Sequence, residues 1–74
     1  MKNDFVEKVD NYIRTNYKDD IKKLNGLMCL LKSNIDNISN ITKIDDFQIK
    51  YKQSKGYEEE LLKVINICKN NTTL

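Results

Sequence analysis

Histidine is missing from this 74-residue chain, and so are proline and alanine. Without an imidazole, Ser-His and Cys-His nucleophilic catalysis lose their usual base. The same gap, with only Cys29 and Cys68 as thiols, removes the ligand sets that hold zinc. Gly26 and Gly56 are isolated, so no Gly-rich phosphate loop exists. The opening MKNDFVEKVD lacks an apolar export segment, and the longest apolar run is far short of a membrane span. These absences predict a protein that is not an enzyme, takes no cofactor or metal, and sits in a reducing cytoplasm with both thiols free.

Missing alanine has a second meaning. Lys, Asn and Ile abound, their codons are A/T-rich, and alanine codons are G/C-rich. The excess therefore reads as the signature of a low-GC genome, which makes much of the lysine background. A net charge of +2 gives no strong pull on nucleic acid or membrane. The Asn-Ile-Ser, Asn-Ile-Thr, Asn-Asn-Thr and Asn-Thr-Thr triplets follow from the same abundance of asparagine. A carboxyl-terminal Thr-Thr-Leu matches a PDZ-type ligand only loosely.

With no linker, repeat or shift in composition, residues 1–74 form one domain. Such a chain buries only ~60% of its unfolded surface, so good helix packing or self-association must supply stability. Helical periodicity runs throughout. Asp4 and Glu7 have capping-box spacing and open a helix over 4–17, with Val6, Val9 and Ile13 apolar and a second seam at Phe5 and Tyr12. Helix propensity falls over TNYKDD, where the chain should bend. A second helix over 20–39 carries the heptad stripe Tyr17, Ile21, Leu24, Met28, Leu31, Ile35, Ile38. A third over 45–69 starts at Asp45 with Gln48 completing a box and Ile44/Ile49 as a staple. Its stripe runs from Ile44 through Phe47, Tyr51, Ser54, Glu58, Leu61, Ile65 and Cys68, weakest beside Gly56, where a split is the alternative. Folded as an antiparallel hairpin, these two helices pair Ile38 with Phe47, Leu24 with Leu61, Met28 with Tyr57, and set Cys68 opposite Tyr17. The chain is left with a frayed tail at 70–74.

The fold class is therefore all-α: a small three-helix bundle, with dimerisation as an open option. The run GLMCLL (26–31) decides between them, because an apolar stretch that faces every direction needs more than one partner. If the first helix folds back, Val6 and Val9 cover Leu30 and Leu27. If helices 1 and 2 form one rod, a second chain must.

Elimination leaves binding to another protein as the main functional expectation: an adaptor, assembly factor or steric inhibitor, of the kind a phage or mobile element uses against a host enzyme or defence complex. Aromatic and arginine anchors carry most of the affinity in such contacts. The candidates are Phe5, Tyr12 and Arg14, with Leu27 and Leu30 if they stay exposed. Two alternatives remain, a nucleic-acid-binding helical protein and a dimer that sequesters a small anionic nucleotide. Lys50, Lys52, Lys55, Tyr51 and Tyr57 form the most basic stretch. On a continuous helix, however, Lys50 and Lys52 point apart, Tyr51 faces the core, and acids follow at 58–60.

Overall fold

A computed structural model describes residues 4–70. Three α-helices, α1 (Asp4–Asn16), α2 (Ile21–Ser33) and α3 (Glu58–Asn70), form a bundle, and the described residues contain no strand. Between α2 and α3 the chain makes 3-10 turns at Ile35–Asn40, Ile44–Asp46 and Lys52–Ser54. Among the described residues no helix is long and apolar enough to cross a membrane. The carboxyl-terminal Thr-Thr-Leu and the tail beyond Asn70 lie outside the described residues.

The first bend falls where propensity predicts it. Helix α1 ends at Asn16, and Asp20 then caps α2 by accepting the Lys23 amide at 3.1 Å. Tyr17 sits in the corner. Its hydroxyl donates to Glu60 Oε2 at 2.6 Å, which ties the corner to the first turn of α3. The Lys23 ammonium lies 5.9 Å from the centre of the same ring. The fold-back is visible in the dimensions. A straight helix over residues 4–33 would be ~45 Å long, whereas the longest extent is 34 Å and the radius of gyration 11.3 Å.

GLMCLL is covered from within the chain. Leu27 and Leu30 are fully buried, Leu31 nearly so, and Met28 and Cys29 are half-buried. Helix α2 packs against α1, α3 and the Lys52–Ser54 turn at once, so each side of the run has a neighbour. Val9 and Ile13 from α1 and Leu61, Val64, Ile65 and Cys68 from α3 complete the core. Both cysteines are free.

The long hairpin does not form. Helix α2 stops at Ser33 rather than 39, and α3 begins at Glu58 rather than 45. The cause lies in the polar residues between them. Asn, Asp, Ser and Thr compete with the helix for backbone groups, and eight of the thirteen residues over 34–46 are of these types. Asn34 acts first. Buried at 1% exposure, its Nδ2 donates to Leu30 O and to Gln48 O, and its Oδ1 accepts the Gln48 amide at 2.8 Å. One side-chain amide thus closes α2 and fastens Gln48 beside it. Ile38 and Ile41 still reach the core, though from a 3-10 turn and its exit.

Several expected contacts are replaced. Ile21 and Ile35, the second and sixth members of the heptad stripe, are 63% and 42% exposed, and Tyr51 is 46% exposed. Ile44 and Ile49 make no helix staple, since no helix starts at Asp45. The neighbouring acid takes the capping role. Asp46 Oδ2 accepts the amides of Thr42 and Lys43 and the Thr42 hydroxyl. The Thr42 amide is the main reason its carboxyl lies below the ordinary value, with the Lys43 amide and the Thr42 hydroxyl adding to it. Cys68 packs beside α1, its thiol 3.9 Å from Lys8 O, and not opposite Tyr17. Helix α3 owes its start to GYEEE. Gly56 takes φ +98°, its amide donates to Glu58 Oε1 at 2.9 Å, and three glutamates fill the first turn, where the helix dipole favours them.

Two variants test these ties. Asn34→Asp should destabilise the fold by about 2–3 kcal/mol at neutral pH, because a buried carboxylate would face two carbonyl oxygens. Burial raises that carboxyl above its unfolded value of about 4, so the deficit should shrink as pH falls from the raised value toward about 4. Urea melts across pH check both; a pH-independent deficit would refute the account. For Tyr17, burial first, then the hydrogen bond and charge of Glu60, raise the hydroxyl well above its ordinary 10. A raised value means stability that is present below about pH 10 and is lost as pH climbs further. Tyr17→Phe should cost about 1 kcal/mol at pH 7 and flatten the alkaline limb of the stability profile.

Candidate functional site

The sequence-derived candidates part company in the structure. Leu27 and Leu30 lie in the core and present no surface. Arg14 is exposed on α1, its Nε 2.7 Å from Asp10 Oδ1 one turn back. That i,i+4 pair is worth only a few tenths of a kcal/mol. Arg14 lies about 180–200° around the helix from Phe5 and Tyr12, so it cannot share their face.

Phe5 and Tyr12 do belong together. They are two turns apart, half-buried at the edge of the stripe that Val9 and Ile13 bury. Tyr12 borders a groove of about 270 Å³ between α1 and α3, with Lys8, Asn11 and Thr15 on its own helix and Ile67 and Cys68 across from it. Phe5 borders an adjoining depression that shares Lys8 and Asn11. The two aromatic rings therefore sit on one continuous strip. Burial raises the Cys68 thiol above its ordinary value, while the nearby Lys8 charge pulls weakly the other way. Cys68 serves this groove as an apolar wall, not as a nucleophile.

Ile67 was missed by periodicity. At 42% exposure it falls between the buried positions Val64, Ile65 and Cys68. Its signal is an apolar residue outside the stripe, which no helix-internal argument requires.

A second, wider groove opens between α2 and the chain entering α3. About 660 Å³ is lined by Lys22, Asn25 and Gly26 from α2, and by Lys52, Gln53, Lys55, Gly56 and Tyr57. No carboxylate lines it, although Glu58, bound to the Gly56 amide, stands at its margin. Two segments remote in sequence supply its charge. Residues 21–33 and 47–57 together hold six of the thirteen basic residues and none of the eleven acidic ones. The other seven basic and eleven acidic residues leave the rest of the chain four charges negative. A small net charge thus hides a strongly divided molecule.

The floor of this groove depends on Gly26. A Cβ there would overlap the Tyr57 ring, so only glycine lets the ring lie against α2. Among the described residues no cluster of His, Cys, Asp and Glu is arranged to hold a metal ion. Compared with protein-family models, curated proteins and solved structures, the chain matches none.

A double-mutant cycle isolates the Gly26–Tyr57 contact. Gly26→Ala alone should destabilise by about 1–2 kcal/mol, because displacing the ring outweighs the gain in helix propensity. With Tyr57→Ala in place, the same substitution should stabilise by up to about 1 kcal/mol. Chemical denaturation of the four proteins reads the sign change, and equal effects in both backgrounds would dismiss the contact.

Proposed function

We propose that this chain is a non-catalytic protein-binding module that works by surface complementarity, as an adaptor or as an inhibitor that occludes its partner. Supporting the reading is the open α1/α3 seam. Tyr12 and Ile67 border its groove, and Phe5 extends the strip along α1. An incompletely filled apolar groove with an aromatic at its edge accepts an apolar side chain from a partner, and such anchors dominate protein interfaces. The remaining lining is polar: Asn11, Thr15, Asn16 and Lys8 supply the hydrogen-bonding rim that interfaces carry around an apolar centre. Arg14, one helix side away, contributes only at the periphery. A phage or mobile-element inhibitor of a host enzyme or defence complex is the role that best suits so small a binding module with a low-GC codon signature.

A photo-crosslinking side chain placed at Ile67, in cells that naturally express the protein, should give one discrete adduct with another protein. The same probe at Asn66, exposed about 100° around α3 from Ile67 and facing away from the core, should not. Ile67→Ser and Tyr12→Ala should abolish the adduct formed from a probe at Asn11. Ile67→Ser should shift stability by no more than about 0.5 kcal/mol, since the site is exposed. Adducts of two copies of this chain alone would replace the adaptor reading with self-association, and equal labelling from positions 66 and 67 would remove the groove from consideration.

A further inference from the structure

We infer that the basic groove between α2 and residues 52–57 is a binding site for single-stranded nucleic acid, with Lys22, Lys52 and Lys55 on the phosphates and Tyr57 as the aromatic platform. This site uses none of the α1/α3 residues, so it stands or falls independently of the protein-binding reading.

The first reason is convergence. Lysines scattered over a surface mean little, but here Lys22, Lys52 and Lys55 line one concavity, with no acid among the lining residues. Holding like charges together costs stability unless an anion offsets it. Nothing in the core requires the arrangement, because all three lysines are exposed. Asn25 and Gln53 add side-chain amides that can donate and accept at base edges.

The second reason is the conformation of residues 47–57. A continuous helix would scatter Lys50 and Lys52 and bury Tyr51. The chain instead runs through an irregular stretch with one 3-10 turn, fastened to α2 by Asn34 at Gln48. Tyr51 is left 46% exposed between Lys50 and Lys52. Tyr51 stands outside the groove lining, so Tyr57 is the ring of the groove, and an aromatic beside converging cations is what strand binders without sequence preference use, stacking bases on the ring while a positive channel follows the backbone.

The third reason is extent. Lys32, two turns along α2 from Asn25, and Lys50, close to Lys52 in the chain, add exposed charge beyond the groove, whereas Lys23 sits over Tyr17 on the side of Glu60. A single free nucleotide would need only the three lysines that converge, whereas a strand uses the continuation. The acids of α1 and α3 lie on other elements and would repel a strand that strayed from this path.

The test is fluorescence anisotropy of a labelled single-stranded oligonucleotide of about 12 nucleotides, titrated with the full chain across a salt series. Binding should weaken steeply with salt. Lys22→Gln, Lys52→Gln and Lys55→Gln combined should reduce affinity at least about tenfold and lower the logarithmic salt slope by about 2, at ~0.7 per phosphate contact. Lys18→Gln with Lys63→Gln removes two exposed charges elsewhere and should leave affinity within about twofold. Tyr57→Leu should weaken binding several-fold with little change in slope, because it removes stacking and not charge. Thermal melts confirm that each variant is folded. Three results would each overturn the proposal: no anisotropy change at low salt, equal losses in the groove and control variants, or displacement of the oligonucleotide by a nucleoside triphosphate or polyglutamate at equal charge concentration as effectively as by unlabelled strand.

Discussion

One buried side chain organises the middle of this protein. Asn34 meets the end of α2 through Leu30 O and the incoming chain through both backbone groups of Gln48. A side-chain amide has one donor group and one acceptor, spaced as a peptide unit is. Asn34 therefore does for Gln48 what a neighbouring strand would do, in a fold whose described residues hold no strand. Helix termination, the course of residues 47–57 and the wall of the basic groove all depend on that substitution of side chain for backbone. Leaving such groups unpaired in the interior would cost more than the bonds return when made, so the clamp acts as a constraint more than as a source of affinity.

The bundle was legible in the sequence because its determinants are local and periodic. Val9 and Ile13, the GLMCLL run, and Leu61, Ile65 and Cys68 each repeat at helical spacing, and all but two residues of the run are buried as that spacing requires. The break after Asn16 was legible for a different reason, the low propensity of Thr, Asn and Asp. The extent of α2 and α3 was not. Heptad spacing continued through Ile35 and back from Glu58 to Ile44, but period is a weak prior when the residues between the apolar positions prefer other conformations. Two start signals competed for α3. Asp45 with Gln48 fits a capping box, and GYEEE offers a left-handed turn followed by acids. The second prevailed because a helix begun at 45 would run through Gly56 and lack apolar residues at positions 54 and 58.

The candidate surfaces were less legible still. Phe5 and Tyr12 were visible as a second seam on α1, but that α3 would supply Ile67 to the same strip depends on packing. Lysine frequency concealed the basic groove. Where codon bias scatters lysine everywhere, the informative quantity is the placement of acids, and their absence from residues 21–33 and 47–57 could have been read from the chain. That the two stretches meet could not, because their pairing rests on the Asn34 clamp across fourteen residues.

The two thiols give this small fold a built-in clock. Cys29 is half-buried on α2, while Cys68 is covered by α1 at the opposite end of the sequence. Cys68 is only 3% exposed in the wall of the α1/α3 groove, so an alkylating reagent gains full access to its thiol as α1 moves away from α3, and its rate of modification tracks excursions of the amino-terminal helix. Such partial openings lie below global unfolding in free energy and set how often a bundle exposes its interior. Reaction at Cys68, measured against Cys29 in the same molecule, would separate undocking of α1 from collapse of the whole bundle.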